Sequence, residues 1–95
     1  MIMGIITGTV ISTQKDERLE GFKFYTVEEL DIDMIKTGKS IIAVDIVGSG
    51  IGEIVLLAQG SSARQSDLTD KKPVDASVIA IIDTMEVEGK LKYKK

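Results

Sequence analysis

The stretch "DIVGSGIGEIVLLAQGSSAR", Asp45 to Arg64, holds the residues best spaced for chemistry. Gly48, Gly50 and Gly52 alternate there, and a cluster of small residues follows that ends in arginine. Glycine-rich loops cradle phosphates because successive backbone N–H groups can turn toward one anion. The dinucleotide fingerprint, however, needs G-x-G-x-x-G between a strand and a helix. Here the spacing is G-x-G-x-G, Glu53 stands where the third fingerprint glycine belongs, and "EIVLLAQ" reads as a strand. No G-K-[ST] follows these glycines, so they do not form a P-loop. The glycines therefore either supply positive φ in a tight, bulged hairpin or let several backbones meet closely at a symmetry axis.

The second half, "GSSAR" (60–64), predicts one helical turn capped by Ser61 or Ser62. Arg64 carries a planar fork suited to carboxylates or carbonyls across a subunit boundary. Asp45, Glu53 and Asp83 offer carboxylates for acid–base work, but nothing pairs them with a nucleophile, so hydrogen bonding at strand ends is the better reading. The chain has no histidine and no cysteine. That removes the commonest general base, disulfides and thiolate metal sites. Asp31-x-Asp33 lacks the further oxygens of a calcium loop and reads as a turn. Phe22-x-Phe24-Tyr25 resembles a base-stacking platform, yet the chain holds only two phenylalanines and two tyrosines, so core packing is the better reading. No catalytic, cofactor-binding or metal-binding residue is assigned, and no enzyme is expected.

Behind these residues stands a short chain. Ninety-five residues make one domain, and a chain of this size buries only about 60–65% of its unfolded surface. Yet 43% of the residues are apolar, a surplus best covered by copies of the same chain. The net charge of −3 is unevenly spread. Gly89 to Lys95 carries four lysines and no acid, leaving residues 1–88 at −7. An acidic body argues against a nucleic-acid surface. Residues 1–88 are expected to form a barrel domain and 89–95 a solvated basic tail. With neither a signal-peptide pattern nor an apolar run of spanning length, the expected location is cytoplasmic, off the membrane.

The elements that must hold the glycine segment read as strands. "IMGIITGTVIST" (2–13) is rich in β-branched residues, and its Gly4 and Gly8 mark a bend or a close approach. "FKFYTVEEL" (22–30), "SIIAVDIV" (40–47), "EIVLLAQ" (53–59) and "SVIAIIDTMEVE" (77–88) follow, with Thr37-Gly38 as a turn signal. The last three are apolar on both faces, so their outer face must also be covered. The pattern predicts an all-β fold. It is a small five-stranded antiparallel barrel of the oligonucleotide-binding type, with one short helical turn between strands four and five.

The segments "TGTVISTQKDERLEGFKF", "AVDIVGSGIGEIVLLAQGSSAR" and "PVDASVIAIIDTMEV" together resemble the pentameric vertex proteins of bacterial microcompartment shells. That family has members in carboxysomes and in ethanolamine-utilisation compartments. The likeness runs from about Ile5 to Val87, with Ser49 where the family often has alanine. It implies a five-stranded barrel assembling as a homopentamer that closes shell corners beside hexameric shell proteins, with no cofactor. It also implies that Gly48, Ser49, Gly50, Ile51 and Gly52 rim a narrow pore on the five-fold axis. Ser61, Ser62, Arg64 and Glu53 would then lie at the subunit interface. A single-stranded nucleic-acid binder of the same barrel type is the alternative.

Overall fold

A computed structural model describes all 95 residues. Five strands close into a barrel: β1 (Ile2–Val10), β2 (Lys23–Leu30), β3 (Lys36–Asp45), β4 (Ile54–Gln59) and β5 (Ala76–Ile81), in the order β1-β2-β3-β5-β4. A 3-10 turn at Gly60–Arg64 joins β4 to β5. The all-β barrel expected from the sequence is thus the observed fold, with one refinement. An odd number of strands cannot alternate direction all the way round a closed ring. One seam must be parallel, and it is β3–β5, paired at Val44–Ser77 and Asp45–Val78. No helix is long and apolar enough to cross a membrane.

Alternation along the strands sends Ile6, Tyr25, Val27, Ala43, Val55, Leu57, Ala76 and Val78 into the barrel. Full burial of one such aliphatic side chain stabilises by roughly 1.5–3 kcal/mol, so this interior dominates the fold. At Gly4 the neighbouring strand β2 leaves no room for a side chain. A Cβ there would sit 2.5 Å from Val27 Cγ1 and 2.9 Å from the Glu28 carbonyl oxygen. Between Ile6 and Gly8 the β1–β2 register shifts, the bend that the glycines of β1 signal.

Several boundaries differ from the sequence reading. The β2–β3 turn is made by Asp31, whose Oδ1 accepts from the N–H groups of Asp33 (2.8 Å) and Ile35 (3.0 Å). That tight turn draws Thr37 and Gly38, expected as the turn, into β3, which starts at Lys36. The long fifth strand breaks after Ile81, once the Ile82 N–H has reached the Ile54 carbonyl (2.8 Å) and closed the ladder with β4. The chain resumes as β6 (Thr84–Val87) and returns as β7 (Lys90–Lys94). Glu88 and Gly89, both at positive φ (52° and 78°), form the two-residue turn between them.

The expected basic tail is largely solvent-exposed, and it forms half of a hairpin that lies on the barrel. Met85 and Tyr93 pack against the Met3, Leu30 and Ile54 cluster. Lys92 Nζ reaches Asp33 (3.2 Å) and Lys95 Nζ reaches Glu53 (2.7 Å). The apolar outer face is partly covered from within as well: Val44 lies under Ala63 and Val74 of the β4–β5 connection. Ile42 and Ile51 remain 56% and 64% exposed.

Candidate functional site

The glycine segment leaves β3 at Asp45 and enters β4 at Ile54, and two carboxylates fix its path. Asp45 Oδ2 accepts from the N–H of Gly48 (3.0 Å) and of Ser49 (3.1 Å). Its Oδ1 accepts from the Val47 N–H (3.3 Å) and the Ser49 hydroxyl (2.7 Å). At the other end Glu53 Oε1 accepts from the Gly50 N–H (2.7 Å), while Oε2 holds Lys95. The Lys95 ammonium, and next the Gly50 N–H, keep the Glu53 carboxyl below the usual range, and Glu53 in turn raises Lys95. From the barrel interior the Tyr25 hydroxyl donates to the Ser49 carbonyl (2.8 Å). The Gly52 N–H donates to the Ile6 carbonyl (2.8 Å).

Gly48 (φ 77°) and Gly52 (φ 89°) adopt the left-handed conformation that a side chain resists. Gly50 does not, and a Cβ there would meet only Glu53 Oε1, at an ordinary 3.7 Å. Both readings of the glycines thus remain compatible with the loop: positive φ at Gly48 and Gly52, a bare surface at Gly50. Of the five residues expected at the rim, Gly48, Ile51 and Gly52 are exposed. Ser49 is only 6% exposed, and its side chain turns in to Asp45. Asp45, which the sequence offers as a hydrogen-bonding carboxylate at a strand end, is the organiser of the loop. Its signal was there, an aspartate three residues before a glycine, since Asp side chains bond backbone a few residues on.

The turn at Gly60–Arg64 lies at the far end of β4, six residues or about 20 Å from Glu53. The four residues expected at a subunit interface therefore form two places, Glu53 on the loop and Ser61, Ser62 and Arg64 on the turn. The expected serine cap is not formed: the cap position is Gln59, with no side-chain cap bond, because Ser61 and Ser62 fall inside the turn. What anchors the turn is the Ser77 hydroxyl donating to the Ala63 carbonyl (3.2 Å) and Arg64 Nη1 donating to the Val74 carbonyl (2.7 Å). Ser66 and Thr69 bond reciprocally, with Thr69 N–H donating to Ser66 Oγ at 3.1 Å, and stiffen the chain beyond.

Chemically, the loop is spoken for. Backbone N–H groups that would hold a phosphate are bonded to Asp45 and Glu53, and the lone pairs needed for acid–base work are bonded to those same groups. The aromatic platform is also absorbed: Tyr25 is buried in the core, and Phe22 and Phe24 pack against Val44, Ala63 and Val74.

A small closed β-barrel with a glycine loop pinned at one end and a Ser-Ser-Ala-Arg turn at the other defines a class of barrel built around backbone geometry. Residues 1–83 match the family described as ethanolamine utilisation protein EutN/carboxysome, and the chain belongs to that family. It is 46% identical over 86 residues to the bacterial microcompartment shell vertex protein GrpN of Rhodospirillum rubrum, covering 90% of this chain and 97% of GrpN. The solved GrpN structure, a pentameric microcompartment shell protein, matches with a TM-score of 0.81 at 44% identity, over 92% of this chain and 98% of that one. CcmL of Gloeobacter violaceus matches with a TM-score of 0.95 at 41% identity, over 100% of this chain and 98% of that one.

Proposed function

We propose that the chain assembles as a homopentamer that closes the vertices of a polyhedral bacterial microcompartment shell in the cytoplasm, beside hexameric shell proteins. The observation that carries this reading is the match to the pentameric GrpN structure over nearly the whole chain. The monomer surface supports it. A five-fold ring requires a heterologous interface that closes, so each subunit offers two different patches. At about 800 Å² per patch the two would cover roughly a quarter of the 5986 Å² surface, and exposed Ile42, Val47, Ile51 and Leu68 supply apolar area for it. The role is structural rather than catalytic, because the loop carboxylates act as backbone anchors.

Within the ring, Gly48, Ser49, Gly50, Ile51 and Gly52 rim the five-fold opening, Ser49 through its backbone. Ser61, Ser62, Arg64 and Glu53 contribute to subunit contacts. Only one guanidinium nitrogen of Arg64 is bonded within the chain, which leaves the rest of the fork for a neighbour. Co-expression with a hexameric shell protein tests the function. Closed polyhedral shells should form with the chain, and elongated or open ones without it. Closed shells in its absence would refute the vertex role.

A further inference from the structure

Two separate devices hold the glycine loop. Its first half is tied at the end of β3 and from the barrel interior: Asp45 accepts from the N–H groups of Val47, Gly48 and Ser49, and the Tyr25 hydroxyl donates to the Ser49 carbonyl. Its second half closes on Glu53. The Glu53 N–H donates to the Gly50 carbonyl (3.2 Å), and Glu53 Oε1 accepts from the Gly50 N–H (2.7 Å). The shape of this half therefore depends on where the Glu53 carboxylate points.

That carboxylate is aimed from outside the barrel. Its second oxygen, Oε2, accepts from Lys95 Nζ (2.7 Å). Lys95 is itself fixed, because its N–H donates to the Asp83 carbonyl (2.8 Å), one residue beyond the Ile82 N–H that meets the Ile54 carbonyl. Beside them Met85 and Tyr93 pack on the cluster that contains Ile54, and Lys92 is held on Asp33. A two-stranded hairpin is marginal alone, so these anchors order it over the point where the loop enters β4. We propose that the β6–β7 hairpin is a strap on the glycine loop: Lys95 orients the Glu53 carboxylate and so holds Gly50, while the Asp45 half of the loop stands without it. Lys95 is a positioning residue that acts through Glu53. The strap works within one subunit and does not depend on where the loop lies in the ring. At the five-fold axis it sets how firmly the opening keeps its shape. The Lys95 side chain is 50% exposed and that of Glu53 23%, so releasing the pair opens the loop locally and leaves the barrel folded.

Residue-resolved amide hydrogen exchange on the purified full chain tests this with Lys95→Met, which keeps the stem and removes the charge. The Gly50 amide should exchange about two- to fivefold faster, the range for an exposed ion pair, with Ser49 unchanged. Lys95→Arg should keep Gly50 protected, and Lys95→Met should add nothing in a Glu53→Gln background. An unchanged Gly50 amide, or Gly50 and Ser49 rising together, would overturn the strap. So would Lys95→Arg behaving as Lys95→Met does, or a full Lys95→Met effect in the absence of the Glu53 carboxylate.

Discussion

Replacing Asp45 with alanine probes the loop at its organiser. The carboxylate accepts from three backbone N–H groups and one hydroxyl. Val47 and Gly48 are exposed, so water takes over their bonds at little cost. Ser49 is buried, and its N–H and hydroxyl are stranded. Each stranded buried group costs about 1–3 kcal/mol, so Asp45→Ala should destabilise by roughly 2–6 kcal/mol. For a domain of this size 1 kcal/mol shifts Tm by about 4–8 °C, which predicts a fall of about 8 °C or more. Ser49→Ala, which removes one of the two groups, should cost less, and in the double variant the Asp45→Ala penalty should shrink. Thermal unfolding at matched protein concentration reads all three. A shift under about 4 °C for Asp45→Ala, or strict additivity with Ser49→Ala, would refute the claim that Asp45 builds the loop.

Gly4→Ala should destabilise by about 1–3 kcal/mol or more, because the new methyl meets both a side chain and a backbone oxygen of the neighbouring strand β2; denaturant titration checks it. The lowered pKa of Glu53 means its contribution is full above the ordinary glutamate value of about 4.3 and is lost as pH falls through the lower folded value. The stability gap between wild type and Glu53→Gln should accordingly hold at neutral pH and narrow only below about pH 4. Arg64→Ala should weaken the ring by about 2–5 kcal/mol while the barrel stays folded, and a pentamer still intact at nanomolar concentration would contradict an interface role. Gly50→Leu, clear of positive φ and of close contacts, should leave the monomer fold unchanged yet occlude the opening or keep the ring from closing. Asp33→Ala, which loses only an exposed ion pair, should do neither.

The barrel was legible because period-2 alternation in 22–30 and the doubly apolar runs around 41–47 and 54–58 report burial directly. Positive φ at Gly48 and Gly52 followed from their turn setting. Harder to read were features that depend on partners distant in sequence. Gly89–Lys95 looked like a solvated run of charge, since no local pattern reveals that Asp33 and Glu53 wait for Lys92 and Lys95 or that Tyr93 meets the Leu30 cluster. Asp31-x-Asp33 reads as turn-forming and Asp31 does make the turn, one carboxylate oxygen satisfying two N–H groups at once, whereas Thr37-Gly38, the other turn signal of that loop, falls within β3. Residue type alone marks Ser61 and Ser62 as caps. Where the turn begins is set by the end of the β4 ladder, which runs to Gln59.

Native mass spectrometry of the purified chain tests the central claim most directly. Five subunits of 10.3 kDa each should be the dominant species at micromolar concentration. A stable monomer, dimer or hexamer as the sole species would contradict the account.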